Sequence, residues 1–187
     1  MRLIALLMLV SVLAGCSTVG SITSQLDREQ NVGTCPAAGA LYDASRKVKF
    51  AAADNQTFNN IAYTSEIVDV RMFCRYTGAE PVSAEIEIDF AFGRGPRAAD
   101  DIRLFRYWVA VARRSGKVLQ KEYFIVEADF AQGDIIGRTE LIGNLVIPRV
   151  DETISAANFE VLVGFDLTPA ELTFNQEGRR FRLSAGR

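Results

Sequence analysis

The sequence predicts an all-β domain, an antiparallel two-sheet sandwich (immunoglobulin-like) of about seven strands with one short C-terminal helix. Three observations predict it. Apolar and polar residues alternate with period two through most of the stretch from residue 61 to residue 167, the pattern of strands with one buried and one wet face. Turn residues break these runs at short, regular spacing. No long amphipathic helices separate the runs, which argues against a parallel α/β fold. A closed barrel is the second choice.

The first predicted strand covers 61–76, with Val68, Val70, Met72 and Cys74 on one face. The clearest covers 82–92. There Val82, Ala84, Ile86, Ile88, Phe90 and Phe92 face one way, and Ser83, Glu85, Glu87 and Asp89 the other. Gly93-Arg94-Gly95-Pro96 ends it. In 104–112, Phe105, Tyr107, Val109 and Val111 alternate with Arg106, Trp108 and Ala110. Arg113-Arg114-Ser115-Gly116-Lys117 reads as a hairpin turn, and 118–130 returns with Phe124, Val126, Ala128 and Phe130 in phase. Pro148 closes a strand over 141–147, and Phe159, Val161, Val163, Phe165 and Leu167 mark another over 159–167. Thr168, Pro169 and Glu171 supply an N-cap, a first-turn proline and a capping box for a short helix ending near Asn175 or Gln176. A last edge strand is expected over 179–183.

Ahead of this domain the chain has a different character. One early charge, Arg2, precedes an apolar run over 3–13, and Leu13-Ala14-Gly15-Cys16 closes it. The run is too short to span a bilayer, which takes roughly 20 residues. A basic start, a short apolar core and small residues before a Cys have the form of a lipoprotein signal peptide ending in a lipobox. The rival readings are an ordinary secretory signal and a buried N-terminal helix. Ser17, Thr18, Gly20 and Ser21 would end such a helix at once. The expected organisation is a signal peptide over 1–15, a lipidated Cys16 with a flexible tether over 16–34, and the sandwich over 35–187. Acyl chains on Cys16 would hold the protein to a membrane, each buried methylene contributing about 0.8 kcal/mol. Ser17 after the lipidated position points to the outer membrane, facing the periplasm. A coil of ~18 residues reaches roughly 23 Å.

Composition narrows the chemistry. The formal charge is −2, too little to pull the chain toward nucleic acid. There is no histidine, which excludes Ser-His-Asp and Cys-His mechanisms and imidazole metal sites. Of three cysteines, lipid takes Cys16, leaving Cys35 and Cys74 as an even pair. In an oxidising compartment such a pair reads as one disulfide, with two free buried thiols as the alternative.

The remaining candidates are weighed against plain structural roles. Glu85, Glu87 and Asp89 could be a carboxylate or calcium site, but their spacing makes them a row on a wet face. Basic residues near Arg106, Arg113, Arg114, Lys117 and Lys121 could pair with that row. Arg94, Arg106, Arg113, Arg114 and Lys117 could contact an anionic surface; the plainer reading is a solvated set guarding a sheet edge. Trp108 is expected in the core rather than exposed. Gly93-Arg94-Gly95-Pro96 lacks the following helix of a phosphate loop.

Four segments carry a resemblance. These are Cys35-Pro36-Ala37-Ala38-Gly39-Ala40-Leu41-Tyr42-Asp43-Ala44, Cys74-Arg75-Tyr76, Arg94-Gly95-Pro96 and Gly164-Phe165-Asp166-Leu167-Thr168-Pro169-Ala170-Glu171-Leu172. Together they resemble an uncharacterised lipoprotein family of alphaproteobacteria. The resemblance supports the lipobox and the Cys35–Cys74 pairing and implies no activity or catalytic residue. The expected function is a non-enzymatic, lipid-anchored envelope protein acting as an interaction or assembly module. It needs no cofactor or metal, contacts the membrane through lipid, and has an envelope protein or glycan as its further partner. A lipid- or glycan-binding module is the alternative. A hydrolase is a distant third, requiring Asp100, Asp101, Lys121 or Glu122 to converge in one cleft.

Overall fold

Strict alternation in residues 82–94 builds the strand around which one sheet forms. Val82, Ala84, Ile86, Ile88, Phe90 and Phe92 are all buried, and the residues between them face outward. The computed structural model describes residues 33–78, 81–150 and 153–179. The strands are β1 (Ala37–Ala40), β2 (Arg46–Phe50), β3 (Ile61–Arg75), β4 (Val82–Arg94), β5 (Ile102–Arg113), β6 (Val118–Asp129), β7 (Ile135–Ile147) and β8 (Phe159–Phe165). One sheet has the order β1-β8-β5-β6 and the other β2-β3-β4-β7. Pairing is antiparallel except for β1, which runs parallel to β8. The two-sheet sandwich is thus as the alternation predicts.

The space between the sheets is filled. Phe105, Tyr107, Val109 and Val111 of β5, Val161, Val163 and Phe165 of β8, and Val126 and Ala128 of β6 meet the β4 row. Phe92 stacks on Phe105 at 4.8 Å, and Phe90 meets Tyr107 edge-on at 5.0 Å. Burial pushes the Tyr107 phenol above its ordinary range, with the Glu140 carboxylate adding to the effect.

The short helix forms as its cap dictates. Thr168 accepts from the Glu171 backbone, and the Glu171 carboxylate accepts from the Thr168 backbone. The helix, α1 (Pro169–Gln176), lays Phe174 against Val48 and Phe50, while Asn175 donates to the carbonyls of Asp43 and Arg46.

Four differences from expectation have physical causes. β1 and β2 are only four and five residues long, too short to show alternation against their neighbours. They run the same way, and a single 3-10 turn (Tyr42–Ala44) carries the chain from one sheet to the other between them. Val68 does not join Val70, Met72 and Cys74 on the inner face; a bulge opposite Phe90 and Asp89 leaves it exposed. β7 begins at Ile135, earlier than expected, because its middle carries outward and polar residues. Trp108 is buried, but on the outer face of its sheet and not between the sheets. It packs with Ala44, Ala110, Leu162 and Leu167, and its indole donates to the Phe165 carbonyl at 3.1 Å. The expected strand over 179–183 starts at the irregular Arg179 and otherwise falls outside the described residues.

Candidate functional site

Seven strand ends meet at one pole of the sandwich. β1 and β8 start there, β5 ends and β6 begins there, and β3 and β7 end and β4 begins there, as their registers and the Cys35–Cys74 bond require. The chain enters the domain at this pole and is fixed at entry. Cys35 and Cys74 form a disulfide with Cα atoms 5.8 Å apart. Tyr76 donates to the Thr34 carbonyl at 2.6 Å and accepts from Ala156 N. Its ring lies where a Cβ on Gly33 would be, 2.4 Å away, so only glycine admits this approach. The Arg149 guanidinium covers the ring at 5.1 Å. Leu13, Ala14, Gly15 and Cys16 lie outside the described residues.

The five predicted basic residues do not form one surface. Arg113, Arg114 and Lys117 occupy the β5–β6 hairpin at the entry pole, all exposed. The Arg113 N–H donates to the Lys117 carbonyl, and Gly116 takes the φ of 86° that closes the turn. Arg106 lies mid-strand, over the Tyr123 ring at 4.2 Å and 3.4 Å from Asp166. Arg94 lies at the opposite pole, paired with Asp101 at 2.6 Å. Beside Arg94, a Cβ on Gly95 would meet the Ile61 carbonyl oxygen at 2.2 Å. Close packing of strand ends therefore explains that glycine.

Next to the disulfide the outer face of β3, β4 and β7 is hollowed. Residues 143 and 144 bulge from β7 between the pairs Ala84↔Leu145 and Ile86↔Ile142, and Asn144 takes a φ of 60°. The result is an open hollow of about 450 Å³ whose lining includes Phe73, Arg75, Ser83, Glu85 and Asn144. Sequence reasoning missed it, because the bulge depends on how β7 pairs with β4. An exposed ring beside a cation, a carboxylate, a hydroxyl and an amide can hold a polar partner.

The carboxylate row is where the alternation places it, on the outer face of β4. Its partner is not the basic hairpin, which belongs to the other sheet. Arg71 of β3 instead bridges Asp69, Glu87 and Asp89. Those carboxylates push the guanidinium pKa upward, Glu87 contributing most. Hydrogen bonds from Thr139 and Arg71 hold the Asp89 carboxyl below its usual value. Among the described residues no cluster of three or more His, Cys, Asp or Glu is arranged to hold a metal ion. Arg71→Gln is expected to raise the Asp89 titration midpoint toward the ordinary aspartate value, read by NMR on the side-chain carboxyl. Because the folded value is depressed, the associated stability is present above about pH 4. It is lost as pH falls through the lowered value. An unchanged midpoint would show that Thr139 alone sets it.

The groups a hydrolase would need do not converge. Asp101 pairs with Arg94, the Asp100 backbone engages the Tyr63 hydroxyl, and Lys121 stacks over Trp108 at 4.2 Å. Glu122 bonds Gln120 at the seam between β6 and β7. That seam holds a cavity of about 80 Å³, against the roughly 300–1,000 Å³ of small-molecule pockets. No protein-family model matches the chain, and no curated protein or solved structure shows significant similarity to it.

Proposed function

We propose that the protein is a lipid-anchored component of the cell envelope. In this reading its sandwich is a non-catalytic interaction or assembly module at the periplasmic face of the outer membrane. The observation that carries the proposal is Leu13-Ala14-Gly15-Cys16 after a short apolar run. The Cys35–Cys74 bond supports it, because such bonds persist in oxidising compartments. So does the manner of chain entry, pinned at one pole by the disulfide and by Tyr76. Cys16→Ala is expected to move the protein from the membrane to the soluble periplasmic fraction. Retention of that variant on membranes would overturn the anchor.

The hollow lined by Phe73, Arg75, Glu85 and Asn144 favours a second reading, a glycan-binding module. A filled inter-sheet core leaves the surface as the place for any such ligand. Cross-linking of the lipidated protein in intact cells separates the two, by recovering either an envelope protein or a saccharide adduct.

A further inference from the structure

We propose that the Arg113-Arg114-Ser115-Gly116-Lys117 hairpin is a membrane-contact element that seats the sandwich, entry pole down, on anionic phospholipid head groups. The inference rests on the lipid-anchor reading and adds an orientation to it. β1 and β5 both flank β8, with Ala37 beside Glu160 and Arg113 beside Phe159. The hairpin base therefore lies two strand spacings, roughly 10 Å, from the point where the chain enters. In the lipid-anchor reading the residues between Cys16 and this pole, taken as a coil, would reach roughly 23 Å and keep the pole near the bilayer. The hairpin is thus presented to lipid by the topology itself.

Its chemistry suits the encounter. Arg113, Arg114 and Lys117 are exposed, and none is held in an ion pair among the described residues. Arg94 and Arg106, by contrast, are each matched to an aspartate. The hairpin is held in shape by backbone bonds, including Arg114 N to the Asn158 carbonyl at 3.1 Å. Little backbone freedom is therefore lost on binding. Val118 follows the turn with 53% exposure, and Val150, just after β7 at the same pole, has 88%. These give the cations apolar company at the head-group boundary. At the opposite pole Asp100, Asp101 and Asp134 lie among Lys49, Arg94 and Arg97, and Arg94 is paired with Asp101, so its charges largely offset one another. Glu80, Asp151 and Glu152 adjoin entry-pole residues in sequence and lie outside the described residues. They make the expected attraction one of the hairpin rather than of the whole pole.

The test uses the mature chain from residue 16 carrying Cys16→Ser, so that binding owes nothing to acyl chains. It is co-sedimented with vesicles of phosphatidylcholine alone and of phosphatidylcholine mixed with phosphatidylglycerol. Binding is expected only to the mixed vesicles and is expected to weaken with salt. Removing the charges together (Arg113→Gln, Arg114→Gln, Lys117→Gln) should lower partitioning about fivefold per charge, roughly a hundredfold in all. Removing two cations at the far pole, Lys49→Gln with Arg97→Gln, should leave partitioning near the parent's, where two charges lost from the hairpin would lower it about 25-fold. Equal binding to both vesicle types overturns the proposal, as does a triple variant that binds like its parent. The anchor is tested separately by fractionation of Cys16→Ala, so either idea can fail without the other.

Discussion

Trp108→Ala is expected to destabilise the domain by about 3–5 kcal/mol, the usual cost of deleting a buried aromatic ring. For a domain of this size that lowers the thermal midpoint by roughly 2–4 °C per kcal/mol. The indole is 8% exposed although its strand position faces outward. It lies across β8, where Gly164 leaves room for it: a Cβ there would meet the ring at 2.5 Å and Ala44 at 2.8 Å. Its edge reaches Ala44 of the turn that joins the sheets, its N–H satisfies the Phe165 carbonyl, and Lys121 covers its face. Truncation removes all of these at once and opens Ala110 and Leu162 to water. Trp108→Phe should recover part of the loss, since it restores ring contact but not the hydrogen bond. Thermal unfolding followed by circular dichroism measures both. A loss below about 1 kcal/mol would show that the crossover turn is held by other contacts.

The position of Trp108 illustrates what a period-two pattern conveys. Alternation assigns a residue to a face, and it assigned Trp108 correctly to the face opposite Phe105 and Tyr107. It says nothing about whether another segment covers that face. Here the cover comes from residues 41–45 and Leu167, distant in sequence and without a periodic signal. The long strands were legible because each buries a full row of side chains. The helix was legible because its cap is encoded within four residues, from Thr168 to Glu171. β1 and β2 were not, since short edge strands are specified mainly by their neighbours. The bulge that expels Val68 depends on the register of β3 against β4. No local feature of the sequence announces it.

Site residues divide along the same line. Arg94 and Arg113 are close in sequence, yet the twelve-residue β5 separates them. At about 3.3 Å per residue such a strand spans roughly 40 Å, so the two arginines belong to opposite poles. Sequence proximity grouped them; strand length parts them. Arg71 drew no notice in the sequence because its three carboxylates are supplied partly by a pairing register. The pair Cys35 and Cys74 was legible for a different reason. A count of cysteines, once one is assigned to lipid, requires no geometry.

Removing that bond, by Cys35→Ala with Cys74→Ala, is expected to cost about 4 kcal/mol on the chain-entropy model. The bond joins residues 39 apart, and the loop it closes contains β1, β2 and most of β3. Denaturant unfolding of parent and double variant gives the difference. Thiol titration of unfolded, unreduced parent should find neither Cys35 nor Cys74 reactive. A cost below about 1 kcal/mol would show that residual structure already restricts this loop in the unfolded chain. The effect should also be uneven across the fold. β1 is held by four residue pairs to β8 and lies at a sheet edge. Without the bond its amides should exchange with solvent well before those of β4 or β5, which lie inside their sheets. The consequence extends past stability. With β1 detached, the first fixed point of the chain moves to the Tyr42–Ala44 turn, where Ala44 packs on Trp108 and Asn175 donates to the Asp43 carbonyl. In the lipid-anchor reading the segment between Cys16 and the first fixed point then gains about seven residues, and a longer coil would reach further. In that reading the disulfide fixes which end of the sandwich an anchor at Cys16 would hold, and the double variant should lose that orientation at temperatures where its core remains folded.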